Sequence, residues 1–233
     1  LSAKGTVYPF SGFSRWNVAV DDFFVGEPTI TTVSRALAAM HIQLPKQLKS
    51  IGNISLRGNA SGNKGSVNGN VVLRTAIGNL TASAVKRGNS IKANLVSERL
   101  DFGFLLSDKR FGTAAFALNS TALVAKNGIS AATVKGAVSH LNVSGYTYRN
   151  IDIDGSYRAD RIQGSLSIAD PNCSAILEGS VDAISRTPIA HLAAKVAAFN
   201  PQKLGLSNKW GNATFSMTLN AHTTGIKPAT MYG

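Results

Sequence analysis

Hydrophobic and polar positions alternate with a period of two along most of this chain, the signature of strands with one apolar face. In Ile54 to Ser61, Ile54 and Leu56 share a face; Val67, Val71 and Leu73 follow, then Leu80, Ala82 and Ala84, then Ile91, Ala93 and Leu95. Asn, Ser, Thr, Lys and Arg fill most of the opposite positions. Gly78-Asn79 and Arg87-Gly88-Asn89 read as turns. The strand spacing of about a dozen residues predicts an antiparallel meander. Further strands are expected near 5–8, 15–20 and 29–33 and over Ala132 to Val143, Tyr146 to Tyr157, Arg161 to Ala169, Cys173 to Asp182 and Ile189 to Val196. Ser34 to Leu44 breaks the pattern. Ser34 suits an N-cap, Leu37, Met40 and Leu44 fall at helical spacing, and Pro45 stops the run, which predicts a short amphipathic helix.

A short signature recurs three times: Leu48 to Asn53, Leu106 to Thr113 and Leu206 to Asn212. Each copy has a Leu, a polar basic stretch, a large apolar residue, a Gly, and an Asn or Thr. Gly112 and Gly211 are 99 residues apart, and at that offset Ala114 matches Ala213, Phe116 matches Phe215 and Leu118 matches Met217. Leu100 to Leu106 and Phe199 to Leu206 are apolar tracts before the second and third copies, predicted to pack as plugs on the apolar face. Repetition of this kind points to an elongated architecture rather than a globule around one site. The expectation is one elongated β-rod segment over 1–233, part of a larger protein, with repeat-like seams near 34–53, 100–113 and 199–212. The last residues, Lys227 to Gly233, are expected to fray.

Composition narrows the classes. The chain has 233 residues, 44% hydrophobic and 15% charged, which argues against disorder. The net charge of +12 suits a polyanionic partner such as nucleic acid, anionic lipid or lipopolysaccharide. No RNP-like motif or basic–aromatic interleaving supports nucleic acid. No apolar run approaches the roughly 20 residues of a membrane helix. Few aromatics stand against an outer-membrane barrel. The chain starts at Leu1 without a signal-peptide pattern and reads as an excised or processed piece.

Candidate chemistry is sparse. Asp152 and Asp154 precede Gly155, but the remaining calcium-loop ligands are missing, and the two carboxylates share a solvent face. His41, His140, His191 and His222 have no ligand at metal spacing. No serine lies in a nucleophile elbow, and Gly58 to Gly65 lacks phosphate-loop order. Cys173, the single cysteine, falls in an apolar alternation and reads as a small buried hydrophobe. The seven Asn-x-Ser/Thr sequons, at Asn53, Asn59, Asn79, Asn119, Asn142, Asn172 and Asn212, are expected by chance in so Asn-, Ser- and Thr-rich a chain. No metal or other cofactor is expected.

The aliphatic faces carry the strongest signal, and two readings fit them. One is a sandwich core of two packed faces. The other is a single sheet curled over its apolar face, leaving a trough for acyl chains. The trough would be lined by Val71, Leu73, Leu80, Ile91, Leu95, Phe116, Leu118, Val134, Val138, Ile151, Ile153, Ile162, Leu166, Ile168, Leu177, Val181, Leu192, Phe215 and Met217.

The segment Leu141 to Gly155, LNVSGYTYRNIDIDG, resembles a recurrent stretch of the TamB family, AsmA-like proteins of the Gram-negative envelope. Gly164 to Asn172, Leu177 to Asp182, and Ser34 to Asn53 with its LPKQL and IGN pieces are similar to the same proteins as found in Bacteroidetes, so the likeness spans most of 30–225. It implies a mainly β fold, an elongated curled antiparallel sheet (a taco-like groove or rod) with one or two short helices. It also implies a non-enzymatic, periplasm-spanning bridge that carries phospholipid from inner to outer membrane. The parent would be anchored in the inner membrane and meet a BamA-related outer-membrane barrel. The alternative role is a scaffold or chaperone β-rod that assists outer-membrane protein translocation and assembly through strand edges.

Overall fold

The computed structural model describes residues 2–10, 13–25, 53–126, 128–182, 187–209 and 214–224. The fold is mainly β, as the alternation predicts. The strands are β1 (Ser2–Phe10), β2 (Phe13–Val25), β3 (Ile54–Gly62), β4 (Ser66–Thr75), β5 (Gly78–Arg87), β6 (Ser90–Asp101), β7 (Phe111–Ala125), β8 (Gly128–Val143), β9 (Tyr146–Arg158), β10 (Arg161–Asp170), β11 (Cys173–Asp182), β12 (Ile189–Phe199) and β13 (Phe215–Thr224). Each pairs with the next along the chain, so strand order equals sequence order. The helix among the described residues is α1 (Phe102–Leu106). The expected strand at 29–33, the expected helix over Ser34 to Leu44, most of the first signature and the chain end at 227–233 lie outside the described residues. So do positions 210–212 of the third signature.

The chain divides within β7 into two compact units, Leu1–Ala117 and Leu118–Gly233. In the first unit, the register brings apolar residues into rows that cross the strands. One row runs Val20, Gly58, Val71, Ala82, Leu95, and its neighbour runs Phe23, Leu56, Leu73, Leu80. A third row is small, Ala60, Gly69, Ala84 and Ala93, and Val18 ends it on β2. The opposite face carries Asn59, Asn70, Ser83 and Asn94 in register, with Asn70 Nδ2 donating to Asn59 Oδ1 and Ser61 Oγ to Asn68 Oδ1. The Gly78-Asn79 turn of the sequence reading falls two residues earlier. Ala76 and Ile77 form it, and Gly78 (φ 135°) opens β5. Thr75 closes this turn by donating from Oγ1 to the Gly78 carbonyl at 2.8 Å.

In the second unit the rows are longer. Val138, Ile151, Ile168, Ala175, Val196 and Met217 form one; Gly136, Ile153, Leu166, Leu177, Ala194 and Leu219 form the next. A third aligns Val134, Gly155, Gly164, Gly179 and Leu192. Two of its glycines differ in what surrounds them. A Cβ on Gly164 would stand 2.6 Å from the Asp154 carbonyl oxygen, whereas one on Gly155 would meet Val134 Cγ1 at an ordinary 3.4 Å. Gly164→Ala should therefore cost about 1–3 kcal/mol, because the clash is with backbone. Gly155→Ala should stay within about 1 kcal/mol of the parent, since it relieves glycine's chain entropy. Urea unfolding of the two variants checks this. Equal costs would remove the close-approach argument.

Both plug tracts close in the same way. Asp101, at the start of α1, accepts from Phe104 N at 2.9 Å through Oδ1, and its own N donates to the Ile77 carbonyl in the β4–β5 turn at 2.8 Å. Asn200, 99 residues later, accepts from Lys203 N at 3.1 Å through Oδ1, and its N donates to the Asn172 carbonyl in the β10–β11 turn at 3.0 Å. Ser107 (φ 55°) ends α1 in the left-handed region, and Gly205 (φ 73°) ends the second tract.

Candidate apolar face and its surroundings

The first unit's candidate residues share one face, as period two requires. Val71 lies between Gly58 and Ala82, Leu73 pairs with Leu56 and Leu80, Leu95 pairs with Ala82, and Ile91 pairs with Lys86. All of Val71, Leu73, Leu80, Ile91 and Leu95 are half-buried rather than enclosed. The buried hydrophobics of this unit, among the described residues, are Ala114, Ala115 and Phe116 on β7. Phe102 of α1 packs edge-on against Phe116, with ring centroids 6.0 Å apart. Phe116 thus sits in a small local core beneath the helix.

In the second unit, Val138 and Ile151 are buried partners, and Ile153, Leu166 and Leu177 form a half-buried line across β9–β11. Leu118, Val134, Ile168 and Val181 are also half-buried. Ile162 (48%) and Leu192 (39%) stand exposed on the same face. Phe215 and Met217 pair with Phe199 and Val196 through their backbones; their side chains lie outside the described residues.

One end of this face is closed. Cys173, Ala175 and Leu204 form a buried cluster that packs on Tyr146, Tyr148, Ile168, Leu177, Val196 and Phe199. Leu204 comes from the second plug tract and is 1% exposed. Beside the cluster lies a polar network absent from the sequence reading. Asp170, 5% exposed, accepts from the Tyr146 hydroxyl and from Asn172 N through Oδ1, and from Arg149 N through Oδ2. Asn172 Nδ2 donates back to the Tyr146 oxygen at 3.0 Å. This network ties the β10–β11 turn to the start of β9. Both Asp170 carboxylate oxygens and the Tyr146 hydroxyl are engaged within the fold, which makes the role structural.

Burial, then the Asp170 carboxylate, holds the Cys173 thiol above its ordinary 9.0. Burial likewise leads in raising the Tyr146 and Tyr148 hydroxyls above 10.0. The folded state thus binds more protons than the unfolded chain in alkali. Stability is fully present below about pH 9 and declines as pH rises through the folded values. Thermal melts should be flat from about pH 7 to 8.5 and fall beyond about pH 9, and the fall should be shallower in Cys173→Ala. A Cys173→Ala melt profile with the parent slope would remove the Cys173 thiol as a source of the loss.

A broad hollow of about 710 Å³ lies over β9–β12. Asp154, Ser156, Gln163, Ser165, Glu178, Ser180 and His191 line it, with backbone from the glycine row. By strand alternation these side chains belong to the polar face. Of the candidate apolar set, Leu192 alone contributes to it. Lys135 pairs with Asp154 at 3.2 Å and Arg161 with Asp182 at 2.9 Å, both at exposed positions worth little to stability.

Comparison of the chain with protein-family models, curated proteins and solved structures finds no match. The functional reading therefore rests on the residues themselves.

Proposed function

We propose that this chain is a non-enzymatic segment of a periplasmic bridge that carries phospholipid along its apolar sheet face between the inner and outer membranes. The observation that carries the reading is the first unit's set of aligned apolar rows, in register across β2–β6 yet only half-buried. The strands of that unit belong to one sheet, and the large side chains of its apolar rows on β4–β6 stay partly open to solvent along it. A filled sandwich would enclose them. Full burial of a Val, Leu or Ile is worth about 1.5–3 kcal/mol, so half-buried Val71, Leu73, Leu80, Ile91 and Leu95 retain together about 5 kcal/mol for an apolar ligand. Acyl tails gain about 0.8 kcal/mol for each CH₂ removed from water. Several contacts along a row therefore hold a tail, and no single contact traps it. The periplasmic setting, the inner-membrane anchor and the BamA-related partner come from the resemblance to the TamB family alone.

A photocrosslinking residue at Leu73, Leu95 or Leu166 should capture phospholipid when the chain meets labelled vesicles, and one at Asn70, on the polar face, should not. Leu73→Asp and Leu95→Asp should lower lipid capture at least ten-fold while circular dichroism stays that of the parent. Folded variants that capture lipid at the parent level would sink the proposal. Crosslinks to an unfolded outer-membrane protein, concentrated on β1 or β13, would favour the scaffold role.

A further inference from the structure

The first unit segregates its charge. From Pro28 to Ser97 the chain contains no Asp or Glu, and the described stretch from Asn53 to Ser97 carries Arg57, Lys64, Arg74, Lys86, Arg87 and Lys92. Three of these cations gather at one sheet edge. Lys64 lies in the β3–β4 turn, and Lys86 and Arg87 end β5 beside the β5–β6 turn. The two turns are locked together: Gly88 N donates to the Gly65 carbonyl at 3.1 Å, and Asn63 Oδ1 accepts from Gly65 N and Ser66 N at 3.0 Å. Ser66 pairs with Arg87 and Val67 with Lys86. No ion pair among the described residues engages Lys64, Lys86 or Arg87, and all three are exposed. The described carboxylates of this unit, on Asp21, Glu98, Asp101 and Asp108, lie toward the opposite strand ends.

The same edge borders the apolar face. Its last row reads Trp16, Gly62, Val67, Lys86 and Ile91. Gly62 lies beneath the Trp16 indole, where a Cβ would come within 2.8 Å of the ring. An indole and an ammonium at the rim of an apolar surface are the groups that sit between hydrocarbon and headgroups. Next to this row is the small one, Ala60, Gly69, Ala84 and Ala93, and beyond it stand Val71 and Leu95. From Lys86 to Leu80 along β5 is six residues, about 20 Å of strand. That spans the hydrocarbon depth of one leaflet, about 15 Å.

On the lipid reading above, we infer that this edge is a headgroup rail for anionic phospholipid. The phosphate sits against Lys64, Lys86 and Arg87, and the tails run along the strands over the small row toward Leu73 and Leu80. With no carboxylate at the rim among the described residues, a zwitterionic headgroup finds nothing there to hold its ammonium, so a net-negative lipid is preferred.

The test incubates the 233-residue chain with vesicles of phosphatidylcholine alone or with added phosphatidylglycerol, then counts bound lipid by native mass spectrometry. Phosphatidylglycerol should be enriched about ten-fold or more over its vesicle fraction at low salt, with the enrichment lost near 1 M salt. Lys64→Gln with Lys86→Gln and Arg87→Gln should abolish the enrichment and leave phosphatidylcholine occupancy as in the parent. The charge-matched set Arg57→Gln, Arg74→Gln and Arg99→Gln, toward the opposite strand ends, should keep it. Equal occupancy by the two lipids, or enrichment that survives the rim variant, overturns the rail but not the lipid reading. Absence of either lipid overturns the reading it rests on. Single-stranded RNA that displaces phosphatidylglycerol from the parent at equal charge would assign the rim to nucleic acid and overturn the rail as well.

Discussion

Leu204→Ala should destabilise the second unit by about 3–5 kcal/mol, a large change for one aliphatic truncation. Leu204 is 1% exposed and fills the space between Cys173, Ala175 and the two tyrosines. Its backbone cannot follow a smaller side chain into the gap, because Leu204 N is bonded to the Asn200 carbonyl and Leu206 N to the Pro201 carbonyl. The cavity term then adds fully to the lost transfer energy. Leu206→Ala, at a 54% exposed position in the same tract, should cost less than about 1 kcal/mol. Chemical denaturation of both variants checks the contrast. Similar losses would mean that the tract does not dock through Leu204.

Asp170→Ala should cost about 3 kcal/mol or more. The carboxylate is nearly enclosed and takes three donors, so its removal leaves the Tyr146 hydroxyl and two backbone N–H groups without their acceptor. Asp170→Asn should cost less, about 1–3 kcal/mol, since one acceptor oxygen survives. The two substitutions also separate network from packing. Hydrogen exchange at Arg149 N and Asn172 N should accelerate in Asp170→Ala before the β12 amides respond. A variant with parent-like protection at both amides would show that the network does not hold the turn.

The strands were largely legible because period two survives in most of them, and several of the short turns between are marked by Gly and Asn. Register was harder. Alternation sets Ile153 and Leu166 each on the apolar side of its own strand, but only the ladder shows that they pair and that Leu177 and Ala194 complete their row. The β4–β5 turn was misplaced because Gly78, the obvious turn residue, uses its positive φ to enter a strand, while Ala76 and Ile77 carry no turn signal. The Asp170 network was invisible for a different reason. Asp170-Pro171-Asn172 has the composition of a plain surface turn, and its partner Tyr146 is 24 residues away. Nothing in the sequence around Lys86 marks it as part of a rim. Its membership of the rim became clear once Val67 and Ile91 were found beside it. Cys173 is buried, as its apolar neighbours imply.

The paired closures at Asp101 and Asn200 carry a rule about counting. Four strands, β3–β6, lead to the first closure, and six, β7–β12, lead to the second. Both numbers are even, so each run returns the chain to the edge it left. An Asx residue there meets the turn of an earlier hairpin. A whole hairpin inserted or removed within a run preserves this parity, whereas a single strand would deliver the Asx residue and its apolar tract to the opposite edge. Length in this architecture should therefore change two strands at a time.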